Sequence, residues 1–521
     1  MGTKTNTNTP IKLKNPEIQV NPVYLSSKSQ PKFTDTPEKG KFATAYPKEY
    51  QSDTARDTYI RWILLIVAWV IRFYRLAEPS AVVFDEYHFG TFVDNILSGA
   101  TYFDIHPPLG KLTLALFGWI VGYRPDPDFG YDEIGKDYNG VLYYPLREVA
   151  AVFGVITVPL MYSTARMLGL SWVGALVCAG LFCFDNLNII ESRLILMDSQ
   201  ITFYLVLSLY CAFKLWKTSP RTWSRFFWLT ATGFTCGCSI SVKWTALATP
   251  GLIAIVSFFA PHFLDDPLTL LECAWAAFVG LGWYVFLFYV HFKNMTRTGP
   301  GVGFFQSDFR STLVGENTYD PNAERQPFHK LFLYLNKYMF TANAGITTRH
   351  HWESYWYQWI VNWRGLLYFN KEIDGKWGSV YLHCNPVVCL TCAACVAIFI
   401  LVRLMSVRYR NTKIFKSETR MLLQNALRSG TFLFWGWLIN LLPYILVDRS
   451  AFVYHYLPGL IYAQLLSGLI VDQAPLVVRV LMMVLIMAAS IAAFVQFVPW
   501  IYCFPLSSTE HSDLRWYGRW D

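Results

Sequence analysis

Apolar runs of roughly twenty residues recur along this chain, separated by polar segments of very uneven length. They begin near residues 59, 144, 170, 196, 226, 244, 272, 383, 430, 451 and 476. A helix needs about 20 mostly apolar residues to cross the hydrocarbon core, so the pattern predicts about eleven spans, most crowded between 170 and 260. Two interruptions are long, 78–143 and 294–382. Residues 1–58 are rich in Thr, Pro, Lys and Asn and hold no apolar stretch. They predict a disordered tail without the apolar region of a secretory signal, so the first span doubles as an uncleaved anchor. The expected class is an all-α polytopic membrane protein.

Composition agrees, with 54% hydrophobic and only 15% charged residues, against about 25% charged in soluble domains. Aromatics reach 17%, suited to belts at the bilayer interfaces. Charge sets the orientation. The connection 214–225 carries Lys214, Lys217, Arg221 and Arg225 and no acid. The connection beyond residue 402 carries Arg403, Arg408, Arg410, Lys413, Lys416, Arg420 and Arg428 against Glu418 alone. Both are expected in the cytosol. Alternation then places the N-terminus in the cytosol, and 78–143, 294–382 and the C-terminus outside. The net charge of +8 lies in these short loops and predicts no nucleic-acid partner. The eleven cysteines fall mostly in apolar runs and imply no disulfide framework. Cys389, Cys392 and Cys395 lie within such a run without a fourth ligand, so no metal is expected there.

Chemistry gathers in residues 84–111, FDEYHFGTFVDNILSGATYFDIHPPLGK. Carboxylates beside a membrane are costly and point to function. Asp85 and Glu86 are the candidates, with His88 and His106 nearby. The competing reading of the pair is an N-cap for a helix starting at HFGTFVDNIL. Arg147, Arg193 and Lys243 lie in or beside apolar runs on the outer side. They either meet an anionic group or snorkel to the interface. His106-Pro107-Pro108 shapes its loop, since Pro restricts itself and its predecessor. The aromatics Trp352, Tyr355, Trp356 and Trp359 have spacings suggesting one helical face, as groove wall or interfacial anchor. The sequon at Asn294 sits where the second outer loop begins. A transporter is disfavoured, because no internal repeat is visible and the charges gather on one side.

Several stretches in order resemble the protein O-mannosyltransferases: the 84–111 run, PLREVAAVFGV from 145, ESRLILMDSQITFY from 191, GCSISVKWTAL from 237, TGPGVGFFQSDFRSTLVG from 298, the LNKYMF to NWRG run from 335, YLHCNPVV from 381 and FVYHYLPGLIYA from 452. That resemblance implies a GT-C type glycosyltransferase over 59–521, in the endoplasmic reticulum membrane, its two large loops luminal. It implies transfer of mannose from dolichyl phosphate mannose to Ser and Thr of Ser/Thr-rich acceptor proteins, with no cofactor or metal. The partner implied is a related transferase in a homo- or heterodimer. Asp85 becomes the base and Glu86 an orienting group. Both Asp85→Asn and Glu86→Gln are expected to stop transfer without lowering protein abundance. Arg147, Arg193 and Lys243 become donor-phosphate ligands, while His88, His106, His350, Trp352 and Trp356 become substrate-binding residues. Eukaryotic relatives carry a MIR β-trefoil in the second loop. Here only 316–327 separates the flanking motifs, so no MIR domain is expected. Another sugar or acceptor, or a non-catalytic partner subunit, remains open.

Overall fold

The computed structural model of this chain describes residues 2, 53–259, 264, 266–408 and 417–520. Most of the expected N-terminal tail and the basic connection 409–416 lie outside the described residues. The first helix, α1 (Ala55–Phe73), opens with a capping box. The Thr54 side chain accepts from the Asp57 N–H, and the Asp57 carboxylate accepts from the Thr54 N–H. Two shorter helices, α2 (Glu86–Ser98) and α3 (Leu109–Ile120), occupy the first long loop. There follow α4 (Tyr144–Leu168), α5 (Trp172–Cys183), α6 (Asn186–Glu191), α7 (Asp198–Leu215), α8 (Trp223–Val242), α9 (Ala248–Phe259) and α10 (Leu270–Asn294). The second long loop carries the short α11 (Ser307–Arg310), α12 (Phe328–Ala344) and α13 (Trp356–Ile360). Then come α14 (Pro386–Arg408), α15 (Ser417–Leu441), α16 (Leu457–Asp472), α17 (Leu476–Tyr502) and α18 (Ser508–Asp513).

Among the described residues a helix stands at or near the start of each predicted span, though α5 and α9 have only 12 residues each. Four are long and apolar enough by themselves to cross a membrane: Tyr144–Leu168, Leu270–Asn294, Pro386–Arg408 and Leu476–Tyr502. Helices α5 and α16 lie at the centre, buried on nearly every side, as expected of segments apolar all round. Helices α8 and α10 meet backbone to backbone. A Cβ on Gly237 would lie 2.6 Å from the Gly280 carbonyl oxygen, so only glycine permits that approach. One buried charge pair ties α1 to α4: Arg166 lies 2.8 Å from Asp57, which also accepts from the Tyr162 hydroxyl at 2.6 Å.

The run expected to cross from residue 170 is broken. Phe184 ends α5, Asp185 caps α6 through the Asn188 N–H, and residues 192–197 continue without regular helix. All six of those residues are buried. Irregular backbone at such depth is tolerated where protein surrounds it.

The all-helical expectation needs one amendment. Strands β1 (Leu366–Ile373) and β2 (Lys376–Leu382) form an antiparallel hairpin, and β3 (Pro505–Leu506) adds to β2. The hairpin turns at Asp374-Gly375, both with positive φ, the residues such a tight turn favours. Ile373 pairs Lys376 and Leu366 pairs Leu382, with a bulge between Leu367 and Phe369.

Candidate active site

Between α1 and α2 the chain turns sharply. Phe84 has φ of 44°, a left-handed value that strains a bulky side chain. Its ring is held by stacking on Tyr368 at 4.3 Å and by an edge contact with Phe452 at 6.4 Å. This turn sends the two neighbouring acids to different places.

Glu86 points inward and is fully buried. Its Oε1 accepts from Arg147 Nε at 2.8 Å and from the Ile195 N–H at 3.0 Å. Its Oε2 accepts from Arg147 Nη2 at 2.8 Å, the Val83 N–H at 2.9 Å and the Tyr138 hydroxyl at 3.1 Å. The rest of the Arg147 guanidinium donates to the carbonyls of Leu76, Ala77, Pro79 and Ala81. Every nitrogen of Arg147 is thus spent on protein, whereas the sequence reading turns it toward a lipid phosphate. Arg193 is likewise buried. It donates to the carbonyls of Arg72, Tyr74 and Arg75 and lies over the Tyr502 ring at 4.3 Å. Both arginines fasten the end of α1 and the turn after it to the bundle.

Asp85 is different. It occupies the N-cap position of α2, yet its carboxylate makes no capping bond, which removes the main support for the cap reading. Among the described residues it accepts no side-chain hydrogen bond. Its electrostatic neighbours are His88, Lys243, Asp198 and Asp104. Burial, opposed by His88 and Lys243, pushes its carboxyl up to about 6.

Lys243 ends α8 in an extended conformation and donates to Asp198 Oδ2, at the head of α7, across 2.6 Å. It also lies 5.5 Å from the Tyr454 ring and 6.0 Å from that of Phe89. Glu191, buried, accepts from the Tyr368 hydroxyl at 2.5 Å. The His-Pro-Pro loop is held by Lys111, which donates to the carbonyls of His106 at 2.8 Å and Pro107 at 3.1 Å and pairs with Asp104. Burial drives the Asp104 carboxyl upward, but Lys111 and His106 outweigh it and hold it below its ordinary value. Burial also drives His106 down to about 3, helped by Lys243, Lys111 and Arg449 against Asp104, so its ring is neutral at physiological pH. Arg449 donates to Asn343 and bears on both His106 and His455.

The structure therefore gathers Asp85, His88, His106 and Lys243 in one electrostatic cluster and adds Asp104, Asp198, Glu191, Tyr368, Tyr454 and Arg449. Asp198 and Glu191 lie in the ESRLILMDS stretch noticed in the sequence. Their acidic neighbours across other helices are what mark them, and a linear reading does not show those. His350 stands one ring further out, its edge against Phe452 at 5.2 Å. Trp352 packs 6.0 Å from Tyr381, under Arg364. Trp356 touches Tyr357 at 5.8 Å and lies apart from the acids' immediate neighbours. The expected aromatic helix face is not formed. The helical part is only Trp356–Ile360, and Trp359 is buried against Tyr444, donating to Ser354 Oγ at 2.8 Å. No three His, Cys, Asp or Glu side chains among the described residues are grouped to hold a metal ion.

The bundle of helices, four of them long and apolar enough to cross a membrane, has the fold of the GT-C glycosyltransferases. That fold is found in one chain of the S. cerevisiae protein O-mannosyltransferase Pmt1-Pmt2 complex, solved bound to the sugar donor. The TM-score is 0.81 at 20% identity, covering 91% of this chain and 94% of that one. The family model for dolichyl-phosphate-mannose-protein mannosyltransferase matches residues 62–296, and that for the C-terminal four-transmembrane region of protein O-mannosyltransferase matches 328–520. This chain belongs to the protein O-mannosyltransferase family. Among its relatives, dolichyl-phosphate-mannose–protein mannosyltransferase 4 of Candida albicans is 36% identical over 271 residues, covering 48% of this chain and 35% of that protein. Protein O-mannosyl-transferase 2 of Danio rerio is 31% identical over 332 residues, covering 59% and 42%. The matches span about a third to two-fifths of those relatives' length.

Proposed function

We propose that this protein transfers mannose from dolichyl phosphate mannose to Ser and Thr hydroxyls of proteins on the luminal side of the endoplasmic reticulum membrane. The observation that carries this reading is the division within the acid pair. Glu86 is saturated by Arg147 and three further donors, while the Asp85 carboxylate has no hydrogen-bond partner among the described residues. A carboxylate in that state suits a general base.

In the proposed step the acceptor oxygen attacks the anomeric carbon as its proton passes to the Asp85 carboxylate. The bond from that carbon to the phosphate oxygen breaks on the opposite face. Dolichyl phosphate departs with the electron pair, and the configuration inverts. The leaving phosphate needs no proton but does need positive charge. We assign that role to Lys243, released in part from Asp198, together with Arg449, which bears on His106 and Tyr454 of the same cluster. Arg147 and Arg193 are assigned to positioning, since their guanidinium groups are committed to the protein. His106, kept neutral, can accept or donate a hydrogen bond to the sugar. His88 and His350 line the outer side, with Trp352 and Trp356 on the acceptor side. The working unit is proposed to be a dimer with a related transferase. Acceptor binding is proposed to proceed without a MIR domain, because only a short connection fills 316–327.

The test is transfer of radiolabelled mannose from dolichyl phosphate mannose to a Ser/Thr-rich peptide by the purified protein with its partner. Asp85→Asn is expected to lower the rate by about 10²–10⁴. A rate near that of the native protein removes Asp85 as the base.

A further inference from the structure

Away from the Asp85 cluster, the β1–β2 hairpin and the segment after α17 line an open cavity of about 310 Å³. Its floor is formed by the buried rings of Trp500, Trp520 and Tyr381, and Trp377, 39% exposed, forms one wall. His511 fastens wall to floor. Its Nε2–H donates to the Trp377 carbonyl at 2.9 Å, and its Nδ1 accepts from Trp500 Nε1 at 2.9 Å. The aromatic surfaces are therefore held in place before any ligand arrives, which lowers the cost of binding.

The rim is polar and exposed. Asn370 accepts from Ser379 Oγ at 2.7 Å, which leaves its amide N–H groups without a partner among the described residues. The Ser512 hydroxyl donates to the Ser508 carbonyl at 3.0 Å and keeps its acceptor capacity. Arg515 has no ion pair among the described residues. No acidic side chain among the described residues lines the cavity.

A volume near the lower end of small-ligand sites, about 300 Å³, has room for one pyranose ring. Indole faces accept the C–H face of a sugar, while amide, hydroxyl and guanidinium groups match its hydroxyls. A phosphate would call for more than one cation. The cavity shares a strand with the Asp85 cluster: β1 sends Tyr368 to Glu191, while Leu367 and Asn370 line the cavity. The Tyr381 ring in its floor also faces Trp352, which we place on the acceptor side.

We propose that this cavity is a hexose-binding subsite, separate from the transfer site, that takes a mannose already attached to an acceptor chain. The identity of the sugar rests on the mannose-transfer reading; the hexose class rests on the cavity alone. The experiment is binding of an α-mannosyl-threonine peptide and its unmodified counterpart to the full-length protein with its partner in nanodiscs. Methyl α-mannoside and inorganic phosphate serve as competitors. The mannosyl peptide is expected to bind at least tenfold tighter than the unmodified one and to be displaced by methyl α-mannoside. Trp377→Ala and, separately, Arg515→Met should each erase most of that difference, while transfer to a peptide with a single acceptor site stays unchanged. Equal binding of the two peptides overturns the proposal, as does a difference that survives both substitutions or displacement by phosphate alone. If mannosyl-peptide binding holds but the native protein transfers no mannose, the subsite stands and the transferase reading falls.

Discussion

Two adjacent carboxylates with opposite surroundings give the sharpest test at the scale of single residues. The sequence reading treats Asp85 and Glu86 as equally replaceable without loss of fold; the geometry separates them. Glu86→Gln leaves Arg147 buried without its counter-charge, and breaking such a pair typically costs about 3–5 kcal/mol. Glu86→Gln should therefore lower thermal stability and protein level along with activity, whereas Asp85→Asn should lower activity alone. Scanning calorimetry in detergent beside the transfer assay checks both, and equal stability of the two variants contradicts the ion-pair account. A pH dependence follows as well. Burial raises the Asp85 carboxyl to about 6, so the basic form is present above that value and is lost as pH falls through it. The acid limb of kcat/KM should therefore lie near pH 6, not near 4, and should disappear in Asp85→Asn. Among the cations, Lys243→Met should weaken donor use, since one charge-assisted bond is worth about 1.5–3 kcal/mol. Arg193→Met should act through stability. Donor affinity that is unchanged in Lys243→Met but lost in Arg193→Met would reverse these assignments.

Helices and strands bring these residues together, and the element around Trp359 shows how. Periodicity links Trp352, Tyr355, Trp356 and Trp359, yet only five residues there are helical, and Trp359 turns into the core. Trp359→Ala should cost about 3–5 kcal/mol of stability, the usual range for a buried large aromatic. Trp356→Ala should leave stability nearly intact and raise the acceptor peptide KM if its ring serves the acceptor side. A fall in membrane retention with unchanged kinetics would make it an anchor instead. The β-hairpin was legible in principle, since Asp374-Gly375 between alternating residues is a strong turn signal. The break between α5 and α7 was harder to place: 184–197 carries Asp185, Asn186, Asn188, Glu191, Ser192 and Arg193, but no Gly or Pro marks where the helix stops.

For the whole molecule the untested claim is orientation. A membrane-impermeant maleimide should reach Glu133→Cys, exposed in the first long loop, only from the luminal side, and Ser219→Cys only from the cytosolic side. Labelling of Glu133→Cys from the cytosol would invert the topology. Thr101, in the same loop, would be a poor reporter, because it is fully buried and donates to the Arg297 carbonyl at 2.8 Å. What the sequence determined by itself was the membrane class, the order of apolar helices, the two long interruptions between them and the motif stretches. Those depend on runs of neighbouring residues, and hydrophobic burial is additive along a run. What only the tertiary structure decided was which charges face one another. Arg147 meets Glu86 across 61 positions and Lys243 meets Asp198 across 45. Whether a guanidinium is free for a ligand or already spent depends on every buried acceptor around it, which no spacing along the chain records.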